Sequence, residues 1–179
     1  IGWIALVDES SGVSCSDCWI ITVVLAVGGW FFTAWRQRVL QRKQIAVELL
    51  NRNRFQSAWV EGQAAVFNKL NTEPNFDWAS LAERHLGNGT LTDEELKSYH
   101  HLRIVLNFLE FIAIAVLNRA ADENIIRWAL QSQYQRLDSG VKKFIIKVRE
   151  KAHSEEIYIN LTTLAEKWRK KPSYARPTA

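Results

Sequence analysis

The sequence predicts an all-α protein in which a single N-terminal transmembrane helix continues into a cytoplasmic helical bundle. An uncharged run of 18 residues lies near the N-terminus, at 18–35. The segments that follow place apolar residues at helical spacing and show no alternation with a period of two. Eight Trp against three Pro and eight Gly favour packed helices over a turn-rich β-sandwich. With 47% hydrophobic and 23% charged residues, the composition excludes a disordered chain.

The uncharged run has the length of a short membrane-spanning helix. As a helix it extends ~27 Å, close to the ~30 Å thickness of the hydrocarbon core of a bilayer. Trp19 lies at one end and Trp30 and Trp35 at the other, where aromatic rings favour the headgroup level. No basic residue precedes the run and no small-residue cleavage site follows it, which argues against a signal peptide. A buried core helix is the other alternative.

Charges on the two sides of the run predict its orientation. Acidic residues precede it, whereas a basic cluster follows it, formed by Arg36, Arg38, Arg42 and Lys43. The positive-inside rule therefore places the N-terminus outside and the rest of the chain in the cytoplasm, which predicts a bacterial inner-membrane protein. The basic cluster is expected to contact anionic lipid headgroups. No aromatic or glycine pattern of a nucleic-acid-binding module accompanies it, so we expect no nucleic-acid partner.

The predicted organisation has four parts: an extracytoplasmic segment at 1–17, the transmembrane helix at 18–35, the cytoplasmic bundle at 36–171 and a polar tail at 172–179. The chain contains no Met, and we expect translation to start upstream of Ile1. Trp3, in the apolar N-terminal segment, is expected to contact lipid or a partner. Cys15 and Cys18 form a C-x-x-C motif without the βαβ context of a redox site or further metal ligands. A local disulfide and two free thiols both remain open.

The cytoplasmic part reads as helices throughout. The first is predicted from Arg36 to about Leu70, as a prolongation of the membrane helix that is either straight or bent near Asn51 and Asn53. A short helix covers 76–86. Thr92 and Glu95 form a capping box for a helix that runs to about Asn118. Helix starts are further predicted at Asp122, at Ser139-Gly140 and at Ser154, the last ending before Pro172.

The least ordinary segment is the run from Ile104 to Leu117, which is apolar except for Asn107 and Glu110. These two residues share one helical face, and Arg103 extends the same polar line. Since a helix that is apolar all round is buried, we expect this segment at the centre of the bundle, where its polar groups need partners. We expect Glu110 to be buried and paired with Arg127 or Arg103, so that Glu110→Ala costs about 3–5 kcal/mol. The alternative is a ligand-binding or proton-handling carboxylate.

No group of residues predicts a catalytic, cofactor-binding or metal-binding site. Glu150 and His153 have the E-x-x-H spacing of di-iron bundles, but no second copy exists and basic residues surround them. His85, His100 and His101 have no partner Cys or carboxylate at metal-ligand spacing. Phosphate-binding loops and the nucleophile elbow of hydrolases are absent from the sequence.

Two segments resemble a known bacterial family of small membrane-anchored proteins of unknown function. They are RQRVLQRKQIAVELL after the uncharged run and VLNFLEFIAIAVLN in the middle of the chain. The second carries the L-N-x-x-E-x-x-A pattern of the family on Leu106, Asn107, Glu110 and Ala113. The resemblance covers about Val23 to Lys170. It implies a membrane helix followed by a helical domain, and it supplies no catalytic residue.

Two functions are compatible with these features. The first is a non-catalytic, membrane-anchored accessory subunit or adaptor that docks on a larger membrane protein complex, or forms a homo-oligomer, through the transmembrane helix. Gly28 and Gly29 would let a neighbouring helix approach closely, and the flanking Trp residues would add contacts. The second is a self-contained membrane-bound sensor or effector, for instance in stress response or phage defence, with a ligand pocket around Glu110.

Overall fold

A computed structural model describes residues 15–54, 57–87 and 89–170, with the side chains at 15–18, 21, 52–54 and 138 outside the described set. Within it the chain forms six helices and no strand: α1 (Cys15–Arg54), α2 (Ser57–Thr72), α3 (Trp78–Leu86), α4 (Asp93–Leu117), α5 (Glu123–Ala152) and α6 (Ile159–Arg169). The predicted all-α class is confirmed.

The chain divides into two units, one ending at Leu40 and the other beginning at Gln41. The first unit holds the N-terminal part of α1, whose described large apolar side chains are exposed except that of Val39, which is half-buried. The second unit has a hydrophobic core, to which every helix from α2 onward contributes. In this core α4 packs against α2 and α6, while α5 packs against α3 and α6.

α4 is the central helix because it is apolar on most of its circumference. Eight of its residues are buried: Tyr99, Leu102, Val105, Leu106, Leu109, Ile112, Ala113 and Val116. Tyr134 of α5 is fully buried and donates its hydroxyl hydrogen to the carbonyl oxygen of Leu109, at 2.5 Å. Burial raises the pKa of the Tyr134 hydroxyl well above its usual range, which keeps the hydroxyl a donor.

Within the described residues, α4 is also the one helix with the length and composition of a membrane-crossing segment. Of its most apolar stretch, 39% is buried in the protein, and the core helix of a soluble protein has the same properties. The predicted span at 18–35 includes Cys18 and Ile21, whose side chains are outside the described set. That span therefore stays a prediction, although its backbone is helical as part of α1.

Most predicted helix ends are confirmed. The capping box forms, since the Thr92 side chain accepts from the Glu95 N–H while the Glu95 carboxylate accepts from the Thr92 N–H. Asp122 caps α5 by accepting from the N–H groups of Asn124 and Ile125. The segment after α2 contains Pro74, and Asp77 caps α3, which begins two residues later than predicted.

Two predicted helix starts are wrong. No helix begins at Ser139-Gly140, because α5 continues through it with Leu137 and Val141 both fully buried. The last helix does not begin at Ser154. Residues 155–158 form turns instead, and α6 begins at Ile159.

Candidate functional site

Three places in the described chain bear on function: an apolar surface on α1, a polar cluster where α4 meets the start of α6, and a cavity among α1, α2, α4 and α5. The apolar surface is formed by large side chains between Trp19 and Trp35 that are about half to two-thirds exposed, with Trp19 and Leu25 the most exposed at 70% each. Gly28 and Gly29 lie in the same stretch, and a Cβ added at either would meet nothing within 4 Å. A second helix can therefore approach the backbone there.

The hydroxyl of Thr33, within the apolar surface, is satisfied inside the helix. The Thr33 Oγ1 donates to the carbonyl oxygen of Gly29 at 2.8 Å, so this hydroxyl does not need a water molecule as a partner. Of the basic cluster that follows, Arg36, Arg38 and Lys43 are exposed and Arg42 is half-buried. Trp3 lies outside the described residues.

The polar cluster is built by the face of α4 that carries Asn107 and Glu110. One Glu110 oxygen accepts from the N–H and the side-chain amide of Asn160, at 3.2 and 2.8 Å. The other accepts from the N–H of Leu161 at 2.6 Å. One turn earlier, Asn107 Oδ1 accepts from the Tyr158 hydroxyl at 3.0 Å. This face of α4 therefore holds the N-terminus of α6.

Glu110 acts as an N-cap supplied by a different helix. The residue at the N-cap position of α6 is Tyr158, in the left-handed region at φ 57°, and its side chain caps no backbone group. The Glu110 carboxylate satisfies the two N–H groups that a local cap would serve, and its negative charge lies at the positive end of the helix dipole. Burial raises the pKa of the Tyr158 hydroxyl, an effect that neighbouring Arg103 opposes.

These contacts correct the predicted core of four buried polar residues. Arg103 and Asn107 are exposed and Glu110 is half-buried, so that Arg127, 7% exposed, is the one buried member of the four. The predicted pairing of Glu110 with Arg127 or Arg103 is wrong, because the described bonds of the carboxylate all come from α6. Glu110 points from α4 to the N-terminus of α6, and its carboxylate stabilises that terminus instead of an arginine.

A protein-family comparison matches residues 20–168 to a domain described as a domain of unknown function, DUF4760. The chain belongs to this family. The match agrees with the expectation of an unknown-function family over nearly the same residues. No curated protein is similar to the chain at a significant level. No solved structure is similar to the chain at a significant level either.

The described residues of the DUF4760 domain contain no group of three or more His, Cys, Asp or Glu that could hold a metal ion. Glu150 bonds to Lys147 at 2.8 Å, and His153 ends α5 in the left-handed region at φ 49°. His85 packs on the Tyr99 ring with centroids 3.9 Å apart. Its pKa is lowered by burial, with smaller effects from His100 and Arg103.

A cavity of the DUF4760 domain was missed by sequence reasoning. It measures about 370 Å³ and lies among the end of α1, α2, α4 and α5. Its walls include Trp59, Phe108 and Trp128, which come from three helices. Helical periodicity in a sequence does not show which helices leave space between them. The exposed Trp128 within the otherwise regular α5 was the available signal.

Proposed function

We propose that the chain is a non-catalytic, membrane-anchored accessory subunit or adaptor that docks on a larger bacterial membrane protein complex through α1. The observation that carries the proposal is the apolar surface of α1 between Trp19 and Trp35, which has no charged residue and exposes its described large side chains. Contiguous apolar surface of this kind is unfavourable in water and favours a lipid or protein environment.

Several features support the membrane as that environment. The run has nearly the length of the hydrocarbon core, Trp residues stand at both ends, and basic residues stand on one side alone. The charge asymmetry favours an N-terminus outside the inner membrane and a bundle in the cytoplasm, with the basic cluster against anionic headgroups.

The Gly28-Gly29 pair supports contact with a protein in addition to lipid. Helices associate in membranes where small residues let their backbones approach closely. A large side chain at either glycine would occupy the space that a partner helix needs. The partner in this proposal is a subunit of a larger complex, and a second copy of the chain is the alternative occupant.

The proposed function is non-catalytic because the carboxylates considered as functional groups already bind other parts of the fold. Both Glu110 oxygens accept hydrogen bonds from α6, and Glu95 binds Arg84. The hypothesis of a sensor with a ligand at Glu110 loses support for the same reason, because a ligand would have to displace the start of α6. Catalysis requires a base, a nucleophile or metal, and a group that stabilises charge, gathered in one pocket.

Membrane insertion is tested with the full chain expressed in bacteria. We expect it in the membrane fraction, with the C-terminus protected from protease that is added to spheroplasts, in which the outer membrane has been opened. Leu25→Arg places a charge at the middle of the run and should release most of the chain, because Arg at a helix centre costs about 3 kcal/mol on insertion scales. Leu86→Arg, a matched change of an exposed residue on α3, should leave the chain in the membrane. A C-terminus cleaved from outside contradicts the topology.

Docking is tested by native purification in mild detergent. A stoichiometric partner of different sequence supports the adaptor function. We expect Gly28→Leu with Gly29→Leu to release it. Ala34→Leu should retain it, because position 34 lies on a different face from Gly29. A homo-oligomer without any partner contradicts the adaptor and favours a self-contained protein.

A further inference from the structure

We propose that the cavity among α1, α2, α4 and α5 binds an uncharged nucleoside through its planar heteroaromatic base. The residues that line the cavity all belong to the second unit. Ligand binding there is a function beyond the adaptor role, which depends on the apolar surface of α1. The cavity volume of about 370 Å³ falls within the range of small-molecule sites in proteins.

Aromatic rings give the cavity flat apolar walls. Trp59, 7% exposed, packs edge to face on Phe108 with centroids 4.1 Å apart, so both rings are held in place. Trp128 lines the same cavity and leaves 59% of its surface exposed. A planar ligand that covers Trp128 would remove apolar surface from water, and aromatic rings stack on any base because each base has a π-face.

Three carboxamides converge on this cavity from three helices: Asn51 of α1, Gln63 of α2 and Gln133 of α5. Each offers a carbonyl acceptor and two N–H donors, the set that pairs with the donor and acceptor edge of a nucleobase. The Oε1 of Gln133 is buried and has no hydrogen-bond partner in the protein. Rotation of this amide about its last torsion would present either its carbonyl or its NH₂ group to a ligand.

The cavity discriminates against charged ligands. None of the described residues that line it is an Asp, Glu, Lys, Arg or His. A phosphate or carboxylate placed there would lose its hydration without gaining an opposite charge, which is costly. The aromatic walls, the amides and the lack of charged side chains among the described lining residues therefore favour a neutral nucleoside over a nucleotide.

The test is equilibrium dialysis of the full chain, in detergent, against adenosine, guanosine, cytidine and uridine, with the 5′-monophosphate of each as comparator. We expect one or more nucleosides to bind with one site per chain and to bind more tightly than their monophosphates. Gln133→Leu keeps a similar volume but removes the amide, and it should weaken binding about tenfold. Gln135→Leu, an exposed change on the same helix, should leave the affinity unchanged.

Trp128→Ala provides a second variant that does not touch the core, since the ring is largely exposed, and it too should weaken nucleoside binding. Three results would overturn the proposal. These are no binding of any of the four nucleosides at millimolar concentration, equal affinity in Gln133→Leu and Gln135→Leu, and tighter binding of the monophosphates. A change of oligomeric state in Trp128→Ala without nucleoside binding would identify the cavity as a protein contact instead.

Discussion

Single side chains complete the helix ends of the second unit, and most of them act within a few residues of their own position. The capping box of α4 is an example, because Thr92 and Glu95 lie three residues apart and could be identified from sequence. The structure adds Arg84 of α3, which binds both Glu95 oxygens, at 3.1 and 2.5 Å. One carboxylate therefore caps α4 and ties it to α3.

This arrangement predicts a pH dependence of stability. The Arg84 guanidinium, followed by the Thr92 N–H, lowers the pKa of Glu95 from its ordinary 4.5 to about 2. Because the folded-state pKa is the lower one, the stabilisation is complete above 4.5 and is lost as the pH falls towards 2. We expect the urea unfolding midpoint of the parent to fall more steeply over this range than that of Glu95→Gln.

Glu94→Gln is the matched control for this measurement. Glu94 lies next in sequence and is 85% exposed, with a 3.8 Å ion pair to Lys69. The unfolding midpoint of Glu94→Gln should keep the pH dependence of the parent. If Glu95→Gln and the parent lose stability in parallel as the pH falls, the Arg84–Glu95 bond does not stabilise the fold.

Whole helices depend on contacts that sequence periodicity does not show. Ser139-Gly140 has the composition of a break, yet α5 passes through it. A Cβ added at Gly140 would lie 2.6 Å from Cδ2 of Leu70 on α2, so a larger residue there would force the Leu70 side chain to move. The helix propensity that glycine loses, about 1 kcal/mol, is offset by burial of Leu137 and Val141 on either side.

The start of α6 is the clearest case in which one element depends on another. Glu110→Ala removes the acceptor for the N–H groups of Asn160 and Leu161, which would then be left without a cap. We expect a loss of about 2 kcal/mol in the free energy of unfolding, less than for a buried ion pair, because the lost interaction is a charged cap. Urea unfolding followed by circular dichroism measures it.

A local effect should accompany this loss. Hydrogen exchange at Asn160 and Leu161 should become faster in Glu110→Ala, whereas Glu166→Ala, an exposed change on the same helix, should leave both amides protected. Unchanged stability together with unchanged exchange in Glu110→Ala would show that the carboxylate does not hold α6.

The whole molecule has two units with different surfaces. The second unit begins at Gln41 and contains the hydrophobic core, whereas the first exposes the apolar side chains of α1. We therefore expect a fragment from Gln41 to Ala179 to dissolve without detergent and to unfold cooperatively. Its unfolding midpoint should match that of the full chain in detergent. Thermal unfolding by circular dichroism tests this, and a fragment without a cooperative transition would contradict it.

The sequence by itself determined the all-α class, the central position of α4 and the helix ends that are capped by nearby residues. These features depend on periodicity and on bonds between residues two to four positions apart, which are visible in a linear sequence. It also placed Arg103, Asn107 and Glu110 on one face, because the helical repeat alone decides that.

Tertiary structure alone decided what that face contacts and where α6 begins. Glu110 meets its partners 50 and 51 residues further along the chain, and no local pattern marks such a pair. The continuity of α5 through Gly140 depends in the same way on burial of Leu137 and Val141 in the core, which the local sequence does not show. The cavity lined by Trp59 and Trp128 is a property of the spacing between helices, which is set by packing of all their side chains together.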